Sequence, residues 1–473
     1  MNVALVMAPF ELAKSFGLSR KMSRGTIQPL GIGYLAAELE ARGHRVHFLD
    51  APIMGWDVEE TVGHTAAASP GLIGVSCYTF GRFLAFELAA RLRQACPGVP
   101  IVMGGPHATT YGLKLFDECG DFDYAFIGEA EYGLADLAET LEQQAEIGPI
   151  AGLMYRDDTG ETVMAGPPRV EKDIDVFRHP VRHIYEPGVY NPLPIMVSCP
   201  QMPAETMITS RGCPWARCAF CYEGSKYAAP YRRRSPANVL EELRPLAERG
   251  ARYINFQDDN FCFNEKWIEE FCQGLVASGW NLTWSAFGRV DTVSPAMLEN
   301  MAAAGCVNLF YGFESGNQES LDLINKGTTL EQIRQAVRWT HAAGIEIRGS
   351  IMLGLPGETP EMGERTIRFA CELNTAYMLF QPYHCLPGTP LECSAHELGH
   401  FVEHDNVSAQ LPSYVPEGYE SPEQLAALVK SAYRRYYLRP SYIGRALWRA
   451  RKPRTFIDYV QKFMMALETM GLR

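Results

Sequence analysis

The stretch ITSRGCPWARCAFCYEG, residues 208–224, sets three cysteines, Cys213, Cys218 and Cys221, within nine residues of one another. It follows a run near 206–210 that reads as a strand, so the cysteines fall on the loop at that strand's carboxyl end. Three thiolates this close can hold three corners of an iron–sulfur cube. No fourth cysteine is nearby, which leaves one iron open to another ligand. A structural zinc site wants four ligands, often as two CxxC pairs, and no second pair is present. The alternative is three small buried hydrophobes in a core loop. Tight spacing in a chain without a disulfide pattern favours a metal.

Beyond the cysteines the chain alternates strands and helices. Strands are expected near 206–210, 252–257, 282–287, 307–313, 346–353 and 376–382, with helices at 236–249, 265–277, 295–304, 330–343 and 360–373. Six strand–helix units over 205–393 suit a partial (β/α)6 barrel whose chemistry lies on its carboxyl-end loops. Ahead of it, residues 1–143 show a second α/β alternation. Strands at 2–7, 46–50, 72–77, 101–103 and 124–127, with helices at 31–42, 83–95 and 132–142, predict a flavodoxin-like, doubly wound parallel sheet. Residues 144–204 break the pattern: a hairpin turning at Asp158–Thr159–Gly160 and a proline-containing connector read as a linker. Residues 394–473 read as a mostly helical C-terminal domain and tail.

Composition narrows the class. The chain has 473 residues, 47% apolar and 21% charged, as in ordinary soluble globular proteins. No apolar run approaches the roughly 20 residues of a membrane-spanning helix. The opening MNVALVMAPF reads as a buried first strand rather than a signal peptide, and a cytoplasmic location is expected. Thirteen cysteines, an odd number widely scattered, do not form a disulfide framework; Cys385 and Cys393 read as filler. A net charge of −12 argues against nucleic-acid binding. The tail runs the other way, with eleven Lys/Arg against two acids from Lys430 to Arg473. Its segment RRYYLRPSYIGRALWRARKPR, residues 434–454, has two readings. Its aromatics pack on the barrel beneath a solvated face, or it is a cover or patch for an anionic or lipid-borne substrate, with peripheral membrane contact.

SRGCPWARCAFC, residues 210–221, resembles the signature of the radical S-adenosylmethionine superfamily, with Phe220 as the aromatic before the last cysteine. One departure stands out: four residues, Pro214–Arg217, separate the first two cysteines, where three are usual. FQDDNF (256–261), WSAFGRVD (284–291), YGFESGNQESLDLINKG (311–327) and GSIMLGLPGETPE (349–361) resemble the family's successive strand ends in the expected order. The resemblance implies that S-adenosylmethionine docks on the open iron of a [4Fe–4S] cluster through its amino and carboxylate groups. It implies further that Glu314 and Ser315 contact the ribose or methionine portion and that Arg289 faces the carboxylate, a pairing guanidinium geometry suits. Asp258 and Asp259 would receive the amino group or the substrate, and Leu353 and the backbone around Tyr222 would flank the adenine. The structural alternative for each carboxylate is a buried salt bridge or helix cap.

The N-terminal region carries a second resemblance. Asp50-Ala51-Pro52-Ile53-Met54-Gly55 has the Asp and Gly of the cobalamin motif DxHxxG, with Pro52 in the histidine's place. Ser76-Cys77-Tyr78, Gly104-Gly105-Pro106-His107, GEAEYG (128–133, with Gly128 and Glu129) and RGTIQPLGIGYLA (24–36) are similar to later elements of such domains. Paired glycines let a backbone approach a large flat ligand, though Gly104–Gly105 could be a plain tight turn and His107 a loop histidine. The chain thus resembles the cobalamin-dependent radical S-adenosylmethionine enzymes, which include the class B-type methyltransferases and the anaerobic magnesium-protoporphyrin monomethyl ester cyclase.

This resemblance implies a [4Fe–4S] cluster, S-adenosylmethionine and cobalamin, with Tyr78 a candidate for the corrin's lower face, and a one-electron donor such as flavodoxin or ferredoxin. The leading expectation is methyl transfer to an unactivated carbon, or to phosphorus, of a small molecule through a 5′-deoxyadenosyl radical. The rivals are cyclisation or rearrangement without methylation, and a cobalamin or redox sensor without turnover.

Overall fold

The computed structural model describes residues 1–10, 27–186, 188–190, 202–225, 228–402 and 412–449. The chain divides into two compact units, one built on the first strand and Gln28–Tyr190, the other on the chain beyond Tyr190.

In the first unit, β1 (Asn2–Met7), β2 (Arg45–Asp50), β3 (Leu72–Ser76), β4 (Ile101–Gly104) and β5 (Tyr124–Phe126) form the expected parallel sheet. Alternate residues of β1 divide between two cores. Val3 and Leu5 meet Ile32, Ala36 and Leu134 on one face, while Ala4 and Val6 meet Val62, Leu88 and Leu92 on the other. A strand covered on both faces needs an unbroken apolar run, and VALV supplies it. The strand order is β2-β1-β3-β4-β5, so the direction of winding reverses between β1 and β3.

The hairpin placed in the linker is instead part of this sheet. Its strands β6 (Leu153–Arg156) and β7 (Thr162–Met164) continue it antiparallel from β5, giving seven strands. Leu153 and Met154 are fully buried, which ties the hairpin to the unit's core. The turn begins at Asp157, whose carboxylate accepts from the Thr159 and Glu161 amides, and Gly160 takes φ +83°. A helix at Val58–Ala67, not anticipated, is opened by a reciprocal cap between Asp57 and Glu60.

In the second unit, β8 (Ala204–Met207) is followed by a short antiparallel pair, β9 (Ser210–Arg211) with β10 (Arg232–Arg233). Then come β11 (Tyr253–Phe256), β12 (Thr283–Gly288), β13 (Cys306–Glu314), β14 (Glu346–Leu353) and β15 (Tyr377–Pro382). The six long strands are parallel and ordered β15-β14-β13-β12-β11-β8, each beside its sequence neighbour, as a partial barrel requires. Helices start cleanly between them. Ser235, Ser294 and Thr359 each cap a helix whose first residue is proline. Ile254, Trp284, Leu309, Ile347 and Met378 face those helices and share one core.

The arginine- and tyrosine-rich tail packs on the barrel, as the first of its two readings has it; residues 450–454 of that segment lie outside the described residues. β15 is the sheet's edge, and an edge strand presents unpaired amides and carbonyls. Tyrosine hydroxyls supply the partners. Tyr437 OH accepts from Met378 N at 3.0 Å and donates to Met378 O at 2.8 Å. Phe380 N donates to Tyr433 OH, and Tyr436 OH and Tyr442 OH donate to the carbonyls of Thr375 and Ala376. Tyr437→Phe leaves a buried amide and carbonyl without partners and is expected to cost about 1–3 kcal/mol, read from the urea midpoint. Among the described residues no helix is long and apolar enough to cross a membrane.

Candidate cofactor site

The cysteine loop begins at the carboxyl end of β8 and is pinned there by Asp258. That carboxylate, 1% exposed, accepts from the Thr209 amide and hydroxyl and from Ser210 Oγ. All of those bonds lie within the protein, so Asp258 positions the loop rather than offering itself to a ligand's amino group. The additional residue between Cys213 and Cys218 is absorbed by a left-handed kink at Ala216, φ +43°. Trp215 Nε1 donates to Asn325 O at 3.0 Å, Ala219 N to Ile324 O at 2.8 Å, and Leu391 N to Ala219 O at 2.8 Å, which fix the rest of the loop. A Cβ at Gly224 would collide with the Cys218 carbonyl, so the close approach after the last cysteine requires glycine.

Cys218 is buried; Cys213 and Cys221 are half-buried. Arg289 Nη1 lies 3.7 Å from Cys218 Sγ. Burial raises the Cys218 thiol pKa, while Lys326 and Arg289 pull it back down. Both cations are themselves held. Arg289 makes a two-pronged pair with Asp291 at 3.0 Å, donates to Lys326 O at 2.7 Å and stacks over Trp215. Lys326 Nζ meets Glu314 Oε1 at 2.8 Å, both side chains 9% exposed. Arg289, expected to face a ligand carboxylate, already has its carboxylate in Asp291 and stands beside a thiol. Lys326, in the quoted NKG, was not singled out; a lysine flanked by Asn and Gly at a strand-end motif was the available signal.

Glu314 closes β13 at a bulge, with φ +63°. A left-handed non-glycine residue is strained, and such strain gathers at functional sites. Ser315 is fully buried and committed to Thr366 and the Asn317 amide. Leu353 faces the helix-side core, so its side chain is not open to an adenine. Asp259 is exposed; the surrounding protein and then Asp258 push its carboxyl up to about 6. Glu223, which sequence reasoning missed, is pushed up to about 7, first by burial and then by Asp259. Tyr222, half-buried, is pushed up to about 12 by burial. Among the described residues no three His, Cys, Asp or Glu side chains could hold a metal ion as they stand. The case for cluster ligation is therefore the spacing of the cysteines in the motif, not the arrangement of the free thiols.

Another buried acid organises the GLPGETPE loop. Glu358, 1% exposed, accepts from Gly354 N at 2.6 Å and Tyr419 OH at 3.0 Å, and its Oε2 has no partner. Burial pushes its carboxyl up to about 7. Between about pH 4.5 and 7 the folded chain keeps a proton that the unfolded chain has lost, so stability falls as pH rises through that window, by about 3 kcal/mol. Glu358→Gln is expected to flatten this fall in denaturation midpoints measured from pH 5 to 8.

In the first unit, the ends of the adjacent strands β3, β4 and β5 bring Ser76, Tyr78, Gly104, Gly105, Gly128 and Glu129 to one edge of the sheet. Tyr78 is exposed. Gly105 takes φ +96°, where a Cβ would sit 2.9 Å from the Cys77 carbonyl. Gly128, φ +77°, donates its amide to Thr109 Oγ1. His107 is fully buried with both ring nitrogens engaged, Nε2 by Glu118 at 2.9 Å and Nδ1 by Thr79 at 3.4 Å. It is a packing histidine, held inside. Asp50 caps the turn Ala51–Met54 and accepts from Tyr190 OH at 2.8 Å, so the DxHxxG-like segment folds with Pro52 inside a helical turn.

Comparison with known proteins agrees with this geometry. The family model described as the radical SAM superfamily matches residues 207–370, and the B12 binding domain model matches residues 21–138. An uncharacterized methyltransferase of Pyrococcus horikoshii is 29% identical over 94% of each chain. The anaerobic magnesium-protoporphyrin IX monomethyl ester cyclase of Cereibacter sphaeroides is 27% identical over 88% of this chain and 68% of its own. The radical S-adenosylmethionine methyltransferase TsrM of Kitasatospora setae, solved with cobalamin and a [4Fe–4S] cluster, shares the fold at TM-score 0.67 and 21% identity, over 90% of this chain and 81% of its own. A six-stranded parallel barrel led by this cysteine loop is the catalytic domain of a radical S-adenosylmethionine enzyme. With a B12-binding domain in front, the chain carries both domains of the cobalamin-dependent radical S-adenosylmethionine enzymes and is similar to them.

Proposed function

We propose that the protein is a cobalamin-dependent radical S-adenosylmethionine methyltransferase acting on an unactivated carbon, or on phosphorus, of a small molecule. The observation that carries this reading is the loop of three cysteines with no fourth beside it, at the mouth of a barrel in a chain that also carries a B12-binding domain. The donors are of the right kind for the group: three thiols on one loop, with Arg289 and Lys326 placed to offset thiolate charge.

Cys213, Cys218 and Cys221 would hold the cluster. When bound, the cluster with S-adenosylmethionine supplies the hydrogen-abstracting radical, and cobalamin supplies the methyl group. Glu314 and Lys326 keep the strand end beside the loop in one conformation, and Asp259 and Glu223 are the acids left to meet an amino group there. In the first unit, Gly104 and Gly105 offer a backbone without Cβ atoms to a flat macrocycle, and Tyr78 a ring. The Pro52 side chain has no ligating atom, so that segment would offer cobalamin no histidine. A flavodoxin or ferredoxin as electron donor and a cytoplasmic setting complete the reading.

A second reading, cyclisation without methylation, draws on the cyclase relative. Anaerobic reconstitution with iron, sulfide and hydroxocobalamin, followed by product analysis, separates the two. Methyl transfer yields both 5′-deoxyadenosine and S-adenosylhomocysteine, and consumes two S-adenosylmethionine per turnover. Deoxyadenosine without S-adenosylhomocysteine selects the cyclase-type reading. Binding without either product leaves only a sensor.

A further inference from the structure

The inward faces of the barrel strands are fixed by their pairing. One row runs Asn255, Ser285, Asn308, Glu346; the next runs Phe287, Phe310, Arg348, Tyr377, so Glu346 shares the inward face of β14 with Arg348 and acts on it through space without pairing with it. Nearer the carboxyl ends follow Ser350 with Leu379, and Met352 with Gln381. Exposure changes along this column. Phe287, Phe310, Ser350, Met352, Leu379 and Gln381 are all half-buried, whereas Asn255, Ser285, Asn308, Arg348 and Tyr377 are buried. The lumen is therefore open from its mouth down to the two phenylalanines; in the row beneath them Glu346, at the amino end of β14, is the half-buried member.

Arg348 sits level with the two phenylalanines, 7% exposed. Its guanidinium lies 5.3 Å from the Phe310 ring centroid and 5.6 Å from that of Tyr377. Among the described residues it makes no hydrogen bond and no ion pair, and Nε is buried without a partner. Two other buried arginines of this unit are paired, Arg234 with Glu242 at 2.6 Å and Arg289 with Asp291 at 3.0 Å. One row below, Asn308 is 1% exposed with both amide atoms unpartnered. Burial draws the Arg348 pKa down to about 10, which still leaves it charged at neutral pH. Ring faces attract a cation but give its N–H groups no acceptor, and buried charges are ordinarily both paired and hydrogen-bonded.

We infer that Arg348 is a specificity-determining residue that receives an anionic group of the substrate, a carboxylate or a phosphate, at the base of the lumen. The apolar body of such a substrate lies along Phe287, Phe310, Leu379 and Met352, and a two-pronged contact supplies the guanidinium's missing acceptors. This assignment rests on the reading above, in which the barrel lumen is the substrate side of the enzyme.

The test is calorimetric titration of the full, reconstituted chain with 1-naphthoate, 1-naphthyl phosphate and the neutral 1-naphthamide, and of Arg348→Met and Arg348→Lys. At least one anion is expected to bind about tenfold or more tightly than the amide. The better of the two names the head group. Arg348→Met is expected to bind all three alike, and Arg348→Lys to keep part of the preference. Equal affinity of wild-type protein for amide and anions overturns the assignment, and that comparison stands even where a variant fails to fold. A full anion preference in Arg348→Met overturns it too. The same preparation is assayed for 5′-deoxyadenosine. Cleavage without anion preference sinks the Arg348 assignment alone, and anion preference without cleavage sinks the functional reading alone.

Discussion

Alanine at Cys213, Cys218 and Cys221 abolishes the visible absorbance of the reconstituted protein and takes 5′-deoxyadenosine formation to background. The expected loss is on the order of 10³-fold or more, the scale on which removing a group that performs the chemistry acts. No other cysteine stands near enough in the sequence to replace one of the three. The fold should survive, because the loop is held by groups other than the thiols. Asp258 anchors its entry, Trp215 and Ala219 bond the segment around Asn325, and Leu391 bonds it from the other side. Far-UV dichroism and the urea midpoint should therefore move little, and cobalamin uptake by the first unit should persist. Deoxyadenosine production by the triple variant would show that the electron enters elsewhere and would end the proposal.

Lys326→Met carries the second large effect, on stability. The ammonium is buried with Glu314 at 2.8 Å, and burial disfavours its charge while Glu314 and then Cys218 favour it, leaving its pKa raised. Removing the lysine strands a carboxylate that is 7% exposed at a strained backbone position. Breaking one half of a buried pair costs about 3–5 kcal/mol. Chemical denaturation measures it, and Lys326→Met combined with Glu314→Gln should recover a large part, because no stranded charge then remains. Similar losses in the single and double variants would assign the lysine to packing of its alkyl chain.

The sequence told most where periodicity and punctuation agree. Strand β1 and the helix at Glu265–Ala277 lie where they were expected, since an unbroken apolar run and a capped amphipathic stretch each admit one reading. The helix at Val58–Ala67 was hidden because VEETVGHTAA has few large apolar residues, and its start depends on the Asp57–Glu60 cap more than on hydrophobicity. The hairpin at Leu153–Met164 was seen but misassigned; alternation shows that a strand exists, not which sheet adopts it. Site residues divided for similar reasons. The cysteines lie close in sequence, so spacing singled them out as candidates. Arg289, Asp258, Ser315 and His107 were named as ligand contacts, yet each is tied to partners within the protein, some near and some far along the chain. A motif gives location without saying which bonds are already taken. Arg348 and Asn308 carried no local signal, because their isolation comes from the strand register that surrounds them.

The tyrosine contacts along β15 bear on how the barrel can vary. A neighbouring strand would dictate spacing and register residue by residue; phenol groups on a helix do neither. The distance between the β15 edge and the helix Pro422–Tyr437 is thus set by the reach of a few side chains. Shorter or longer hydrogen-bonding groups at those positions would shift the helix along or away from the edge while leaving every main-chain ladder in place.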